Sequence, residues 1–134
     1  MNTSTISSDA KEYAGKRVLV TGGTKGAGRA IADRFHHGGA TVIITARSAP
    51  TEKTDNNFIQ ADVSTAEGTT KVINEILSRF QGIDIIIHNV GGSSAPSGGF
   101  VTVTDEIWQQ NINENSTPLR SSCRMRHGVR CPRC

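Results

Sequence analysis

The chain has 134 residues, a hydrophobic content of 35% and a formal net charge of +3, and this length allows one domain at most. No apolar run approaches the roughly 18 residues of a membrane-spanning helix, and residues 1–10 lack the pattern of a secretory signal. Residues 116–134 hold five arginines, no acid and all three cysteines. The basic charge therefore belongs to this tail, and we predict a cytoplasmic protein without a membrane or nucleic-acid partner.

Short β-branched runs alternate with helical periodicity along the chain. The run Lys16–Thr21 predicts a buried parallel strand. A glycine-rich turn follows, and apolar residues at helical spacing then predict a helix through Phe35, which Gly38 and Gly39 end. The run Thr41–Ala46 predicts the second strand.

The same alternation continues beyond a polar loop. Phe58–Asp62 is predicted to be a short third strand, and Thr65–Phe80 a helix with Gly82 as its cap. Ile83–His88 is predicted to be the fourth strand. The order predicts an α/β fold, a Rossmann-like doubly wound parallel sheet that is truncated after about four strands.

A Gly/Ser/Pro-rich loop over residues 91–99 follows the fourth strand. Thr104–Asn115 begins as a further helix, with Thr104 as a suitable N-cap. We expect Trp108 to pack this helix onto the sheet.

The turn between the first strand and the first helix has the composition of a phosphate-binding site. Glycines allow a tight turn and a close backbone approach, and a helix N-terminus offers N–H donors and partial positive charge. Because this turn joins a strand to a helix, we predict that it binds the pyrophosphate of a dinucleotide. The predicted binding residues are Thr21, Gly22, Thr24, Lys25, Gly26, Ala27 and Gly28.

The glycine spacing, Gly-x-x-x-Gly-x-Gly after Thr21, resembles the fingerprint of the short-chain dehydrogenase/reductase family. Asp62, followed by Val63, looks like the family aspartate that contacts adenine. The turn Asn89-Val90-Gly91 is similar to the family's Asn-Ala-Gly turn, and Asn115 occupies the position of its structural and catalytic asparagine.

This resemblance covers residues 16 to about 115. It implies an NAD(P)-dependent oxidoreductase that transfers hydride between the cofactor and a small-molecule carbonyl or alcohol, usually as a homo-oligomer. It also implies that the cofactor site includes Asp62, Val63, Asn89, Val90 and Gly91.

Cofactor preference depends on the end of the second strand. NAD-binding proteins place a carboxylate there for the ribose hydroxyls, whereas this chain has Ala46, Arg47 and Ser48. Arginine suits a phosphate, and Lys25 lies where NADP-preferring family members often carry a basic residue. We therefore predict that Arg47 and Ser48 bind the cofactor and that NADP(H) is preferred, with NAD(H) as the alternative.

The proton donor of the family is a tyrosine with a lysine four residues later. The only tyrosine here is Tyr13, which precedes the first strand and has Lys16 three residues after it. Ser93 and Ser94 come too early for the family serine, so Asn115 alone matches a catalytic position. We predict that the chain alone is catalytically incompetent; a non-catalytic NADP-binding module is the alternative.

The composition changes abruptly after Asn115, and Pro118 would interrupt the last helix. Our hypothesis is that a frameshift or premature stop replaced the second half. A zinc site built from Cys123, His127, Cys131 and Cys134 is an alternative, as is a nucleic-acid-binding arginine tail, but we predict no metal site. The expected organisation is a flexible segment 1–15, a dinucleotide-binding half-domain 16–115 and a disordered tail 116–134.

Overall fold

The computed structural model describes residues 10–91, 103–113 and 115. The predictions for residues 1–9, for most of the loop after the fourth strand and for the whole tail lie outside these residues, the zinc and nucleic-acid alternatives among them. The elements in chain order are β1 (Arg17–Thr21), α1 (Gly26–His37), β2 (Thr41–Ala46), β3 (Asn57–Gln60), α2 (Ala66–Phe80) and β4 (Ile85–Ile87). A further helix covers residues 105–113 and includes residue 115.

The four strands form one parallel sheet in the order β3-β2-β1-β4. Alternate residues of a strand face opposite sides of the sheet, so Leu19 and Ile43 pack under α2 with Val72 and Ile76. Val18, Val20, Val42 and Ile44 form the opposite core with Ala32 of α1. The predicted Rossmann-like parallel sheet with helices on both faces is therefore confirmed.

The third strand differs from its predicted bounds. It begins at Asn57 and ends at Gln60, two residues before the predicted end at Asp62. The carboxylate of Asp62 accepts hydrogen bonds from the backbone N–H and the hydroxyl of Ser64, at 3.0 and 2.6 Å. Such a local bond competes with strand pairing, so the chain turns toward α2 at Asp62.

The fourth strand is also shorter than predicted and covers Ile85–Ile87. The residue before it, Asp84, binds the Arg17 side chain through both carboxylate oxygens. The cap predicted at Gly82 is wrong by one residue: Gln81 is the C-cap of α2, in the left-handed region with φ 61°.

Trp108 is 48% exposed, so it does not pack the last helix onto the sheet as expected. Thr104 precedes that helix and accepts a weak hydrogen bond from the N–H of Ile107 at 3.4 Å. Within the described residues, no helix combines the length and apolarity required to cross a membrane.

Residues 10–15 belong to the segment predicted to be flexible, and they form a turn at the amino-terminal edge of the sheet. The N–H of Tyr13 donates to the carbonyl of Gly38 at 2.7 Å, and the Tyr13 ring lies 4.6 Å from that of Phe35. Tyr13 thus packs against the C-terminal end of α1.

Candidate functional site

A cleft of about 540 Å³ opens where the parallel strands end. In parallel α/β sheets this edge is the usual ligand site. Of the predicted residues, the cleft is lined by Gly22, Thr24, Lys25, Gly26, Arg47, Ser48, Asp62, Val63, Asn89, Val90 and Gly91. Four further lining residues were missed from the sequence: Thr45, Ala46, Ala61 and Ser64. Each adjoins a predicted residue or pairs with one, as Thr45 pairs with Thr21.

The glycine turn folds back closely on itself. Gly22 has φ +66°, and its N–H donates to the carbonyl of Thr45 at 2.8 Å. A Cβ added at Gly28 would lie 2.1 Å from the Gly22 carbonyl oxygen. Only glycine therefore fits at Gly28, which supports the turn from behind and does not line the cleft.

The start of α1 differs from that of α2. Thr65 caps α2 by accepting a hydrogen bond from the N–H of Gly68 at 3.0 Å. Lys25, the N-cap of α1, makes no side-chain cap hydrogen bond, and the first turn of α1 has no acidic residue. The electropositive end of α1 therefore faces the cleft without a side chain that neutralises it.

Thr21 joins β1 to β4 and does not line the cleft. Its hydroxyl donates to the carbonyl of Ile87 at 3.4 Å and accepts from the N–H of Asn89 at 3.1 Å. The side-chain amide of Asn89 donates to the Gly22 carbonyl at 3.3 Å. These contacts fix the end of β4 beside the glycine turn.

Asp62 and Arg47 lie on the wall formed by the ends of β2 and β3. The hydroxyl of Ser64 is the main cause of a lowered pKa at Asp62, and the Ser64 N–H and the charge of Arg47 lower it further against the effect of burial. Asp62 is therefore ionised at neutral pH.

The hydroxyl of Thr45 is buried in this wall and has no hydrogen-bond partner among the described residues. A buried hydroxyl without a partner is unfavourable. A ligand in the cleft is one means of satisfying it.

The remaining predicted residues lie around the cleft. Ala27 is exposed in the first turn of α1. Asn115 lies beside Gly91, since a Cβ added at Gly91 would be 2.8 Å from the Asn115 Oδ1. Tyr13 packs at the opposite edge of the sheet, at the C-terminal end of α1.

No group of three or more His, Cys, Asp or Glu side chains within the described ranges is arranged to hold a metal ion.

A family model described as short chain dehydrogenase matches residues 16–126. A curated relative, the NADP-dependent (R)-specific alcohol dehydrogenase of Lentilactobacillus kefiri, is 36% identical over 110 residues, which cover 75% of this chain and 43% of the relative.

Two solved structures have the same architecture. The ligand-free aldohexose dehydrogenase of Thermoplasma acidophilum has a TM-score of 0.76 and 27% identity, over 86% of this chain and 44% of that one. An NADH-dependent reductase in complex with NAD has a TM-score of 0.76 and 25% identity, over 86% of this chain and 52% of that one. The chain thus spans about half the length of these proteins.

Proposed function

The chain belongs to the short-chain dehydrogenase family, and from that premise we propose that it supplies the nicotinamide-dinucleotide site of an oxidoreductase. The substrate class is a small carbonyl or alcohol compound. The observation that carries the proposal is the start of α1, which has no side-chain cap and opens into a cleft beside a turn where Gly28 cannot carry a Cβ. Backbone N–H groups and the helix dipole at such a position suit a pyrophosphate.

Each wall of the cleft has a role in this proposal. The turn from Gly22 to Gly26 holds the pyrophosphate, and Asp62 contacts the adenine. Asn89 keeps the end of β4 against the turn through its bond to Gly22. The bound cofactor supplies or accepts the hydride, while the residues of this chain bind and orient it.

The proposed preference is for NADP(H). Of the similar proteins, the alcohol dehydrogenase is named as NADP-dependent and the reductase as NADH-dependent. The proposed preference therefore rests on the residues of this chain. Lys25 and Arg47 both line the cleft, and the position after β2 holds Arg47 where an NAD-binding protein has a carboxylate. A planar guanidinium binds the additional phosphate of NADP(H) by charge-assisted hydrogen bonds.

We further propose that the chain binds the cofactor without turnover on its own. Tyr13 is the only tyrosine of the 134 residues. It packs against Phe35 and Gly38 at the edge of the sheet opposite the cleft, where it cannot protonate a substrate bound beside the cofactor. Among the described residues, Asn115, beside Gly91, is the one at a family catalytic position that borders the site.

Isothermal titration of the full chain with NADPH and with NADH tests the proposal. We expect saturable binding of both and tighter binding of NADPH. Arg47→Asp should lower the NADPH-over-NADH affinity ratio by about 10- to 100-fold, because it replaces a charged donor with a repelling carboxylate. Arg79→Ala removes an arginine of α2 that pairs with Glu75 outside the cleft, and this control should leave the ratio unchanged. Absence of saturable binding would contradict the cofactor site, and equal affinities would contradict the preference.

A further inference from the structure

The hydrogen-bonded pairing of β2 with β3 continues through a side chain beyond its last backbone bond. The final paired residues are Ala46 and Gln60, and the N–H of Ala61 donates to the Ala46 carbonyl at 3.0 Å. One residue past the end of β2, the Gln60 side-chain amide donates to the carbonyl of Arg47 at 3.0 Å. Gln60 therefore holds the backbone of Arg47 where the strand itself has ended.

The main chain of Gln60 is also hydrogen-bonded to helix α2, which covers this face of the sheet. The ammonium group of Lys71 on α2 donates to the Gln60 carbonyl at 2.7 Å. The backbone of Gln60 is thus bonded to α2, while its side chain is bonded to Arg47. Gln60 thus links the backbone of Arg47 to both the sheet and α2.

Arg47 shares the wall of the cleft with a carboxylate. Asp62 also lines the cleft, and the positive charge of Arg47 contributes to the lowered pKa of Asp62. A long arginine side chain has many rotamers, so the placement of its backbone limits which groups the guanidinium reaches. The bond from Gln60 restricts that backbone and therefore the region that the guanidinium can reach.

We propose that Gln60 is a positioning residue for cofactor discrimination, because it fixes the backbone from which Arg47 reaches the additional phosphate of NADP(H). Gln60 does not line the cleft and acts through Arg47. The inference rests on the proposed function of the cleft and adds a residue outside it to the determinants of specificity.

Gln60→Met tests this role, since it keeps most of the side-chain volume and removes the amide donor. We expect the NADPH-over-NADH affinity ratio to fall by about 3- to 10-fold, the equivalent of one hydrogen bond. The matched control is Asn57→Leu at the other end of β3, where the side-chain amide donates to the Val42 carbonyl at 3.1 Å. This control also removes a β3-to-β2 side-chain bond, but it should leave the ratio unchanged.

A double-mutant cycle separates positioning from other effects. In an Arg47→Ala background, Gln60→Met should no longer change the ratio, because the group that it positions is absent. An unchanged ratio in the single variant, or the same fall in the Arg47→Ala background, would overturn the role of Gln60 while leaving the cofactor site intact. Failure of the wild-type chain to bind either cofactor would overturn the proposed function together with this inference.

Discussion

The side-chain amide of Asn89 donates to the carbonyl oxygen of Gly22 at 3.3 Å, and the two residues are 67 positions apart in the chain. A Cβ added at Gly28 would lie 2.5 Å from the Asn89 Nδ2 and 2.1 Å from the Gly22 oxygen. The glycine turn, the start of α1 and the end of β4 thus meet at one point. The shape of the cleft depends on how closely these three backbones approach.

Gly28→Ala should destabilise the fold by about 1–3 kcal/mol, because the new methyl group would overlap the Gly22 carbonyl. NADPH affinity should fall with it, since the turn must move to admit the methyl group. Chemical denaturation and calorimetric titration measure the two effects. Gly15→Ala is the control for steric overlap: unlike Gly28, Gly15 sits at positive φ, +76°, but its Cβ would meet no atom within 4 Å. It should cost about 1 kcal/mol and leave affinity unchanged, and equal losses in both variants would contradict the steric explanation.

Asn89→Asp replaces the amide donor with a carboxylate that faces the Gly22 carbonyl. We expect a loss of about 1–3 kcal/mol in the free energy of unfolding at pH 7, because the bond is lost and two acceptors face each other. Below about pH 4 the carboxyl group is protonated and can donate, so the difference from the wild type should narrow there. Urea denaturation at pH 7 and pH 3.5 measures this, and a difference that is independent of pH would be evidence against the assigned bond.

Arg17 and Asp84 account for part of the acid sensitivity of the fold. Hydrogen bonds from the Arg17 side chain and backbone N–H hold the pKa of Asp84 far below its usual range. A carboxyl group whose pKa is lower in the folded state contributes stability above its unfolded pKa, near 4, and loses it as the pH falls further. Arg17→Met should therefore lower the melting temperature at pH 7 and have less effect near pH 2.

Arg17→Lys is the matched variant for that pair. Lysine keeps the charge but cannot donate through Nε and Nη2 to both carboxylate oxygens, as Arg17 does at 3.0 Å. Its melting temperature should lie between those of the wild type and Arg17→Met. If Arg17→Met and the wild type lose stability in parallel from pH 7 to pH 2, Asp84 does not have the proposed linkage.

Thr65→Ala should destabilise the chain by about 1 kcal/mol, because the Thr65 hydroxyl caps α2 at the N–H of Gly68 and donates to the Asp62 carbonyl at 2.9 Å. The control is Thr70→Ala, five residues further along, where the exposed hydroxyl only donates back to the Ala66 carbonyl. That bond adds little to a helix, so the control should be close to neutral in the same denaturation experiment. Similar losses for both threonines would show that general helix effects outweigh capping.

The sequence was sufficient to predict the two central strands and both main helices, because their apolar runs are strong and are bounded by glycine or a cap. β1 and β2 lie within a residue of their predicted bounds. The end of β3 and the start of β4 differ from their predicted positions. Asp62, after β3, bonds to Ser64, and Asp84, before β4, bonds to Arg17. The second of these pairs is separated by 67 positions, and no local pattern indicates it.

The residues of the cleft also divide into those that the sequence predicts and those that it does not. Most of the predicted residues line it, because the motif places them in turns that follow parallel strands. Thr21 and Gly28 support the turn from outside the cleft, and Gln60 contacts Arg47 only because β3 lies beside β2. Such supporting residues follow from three-dimensional packing, which a spacing pattern does not contain.

An amide-resolved NMR titration of the full chain with NADPH tests the central claim most directly. We predict saturable shifts concentrated at residues 22–28, at Arg47 and Ser48, at Asp62 and Val63, and at residues 89–91. Shifts should be small at Gly38 and Gly39, at the opposite edge of the sheet. No saturable shift at the glycine turn, or shifts confined to other surfaces, would contradict the account.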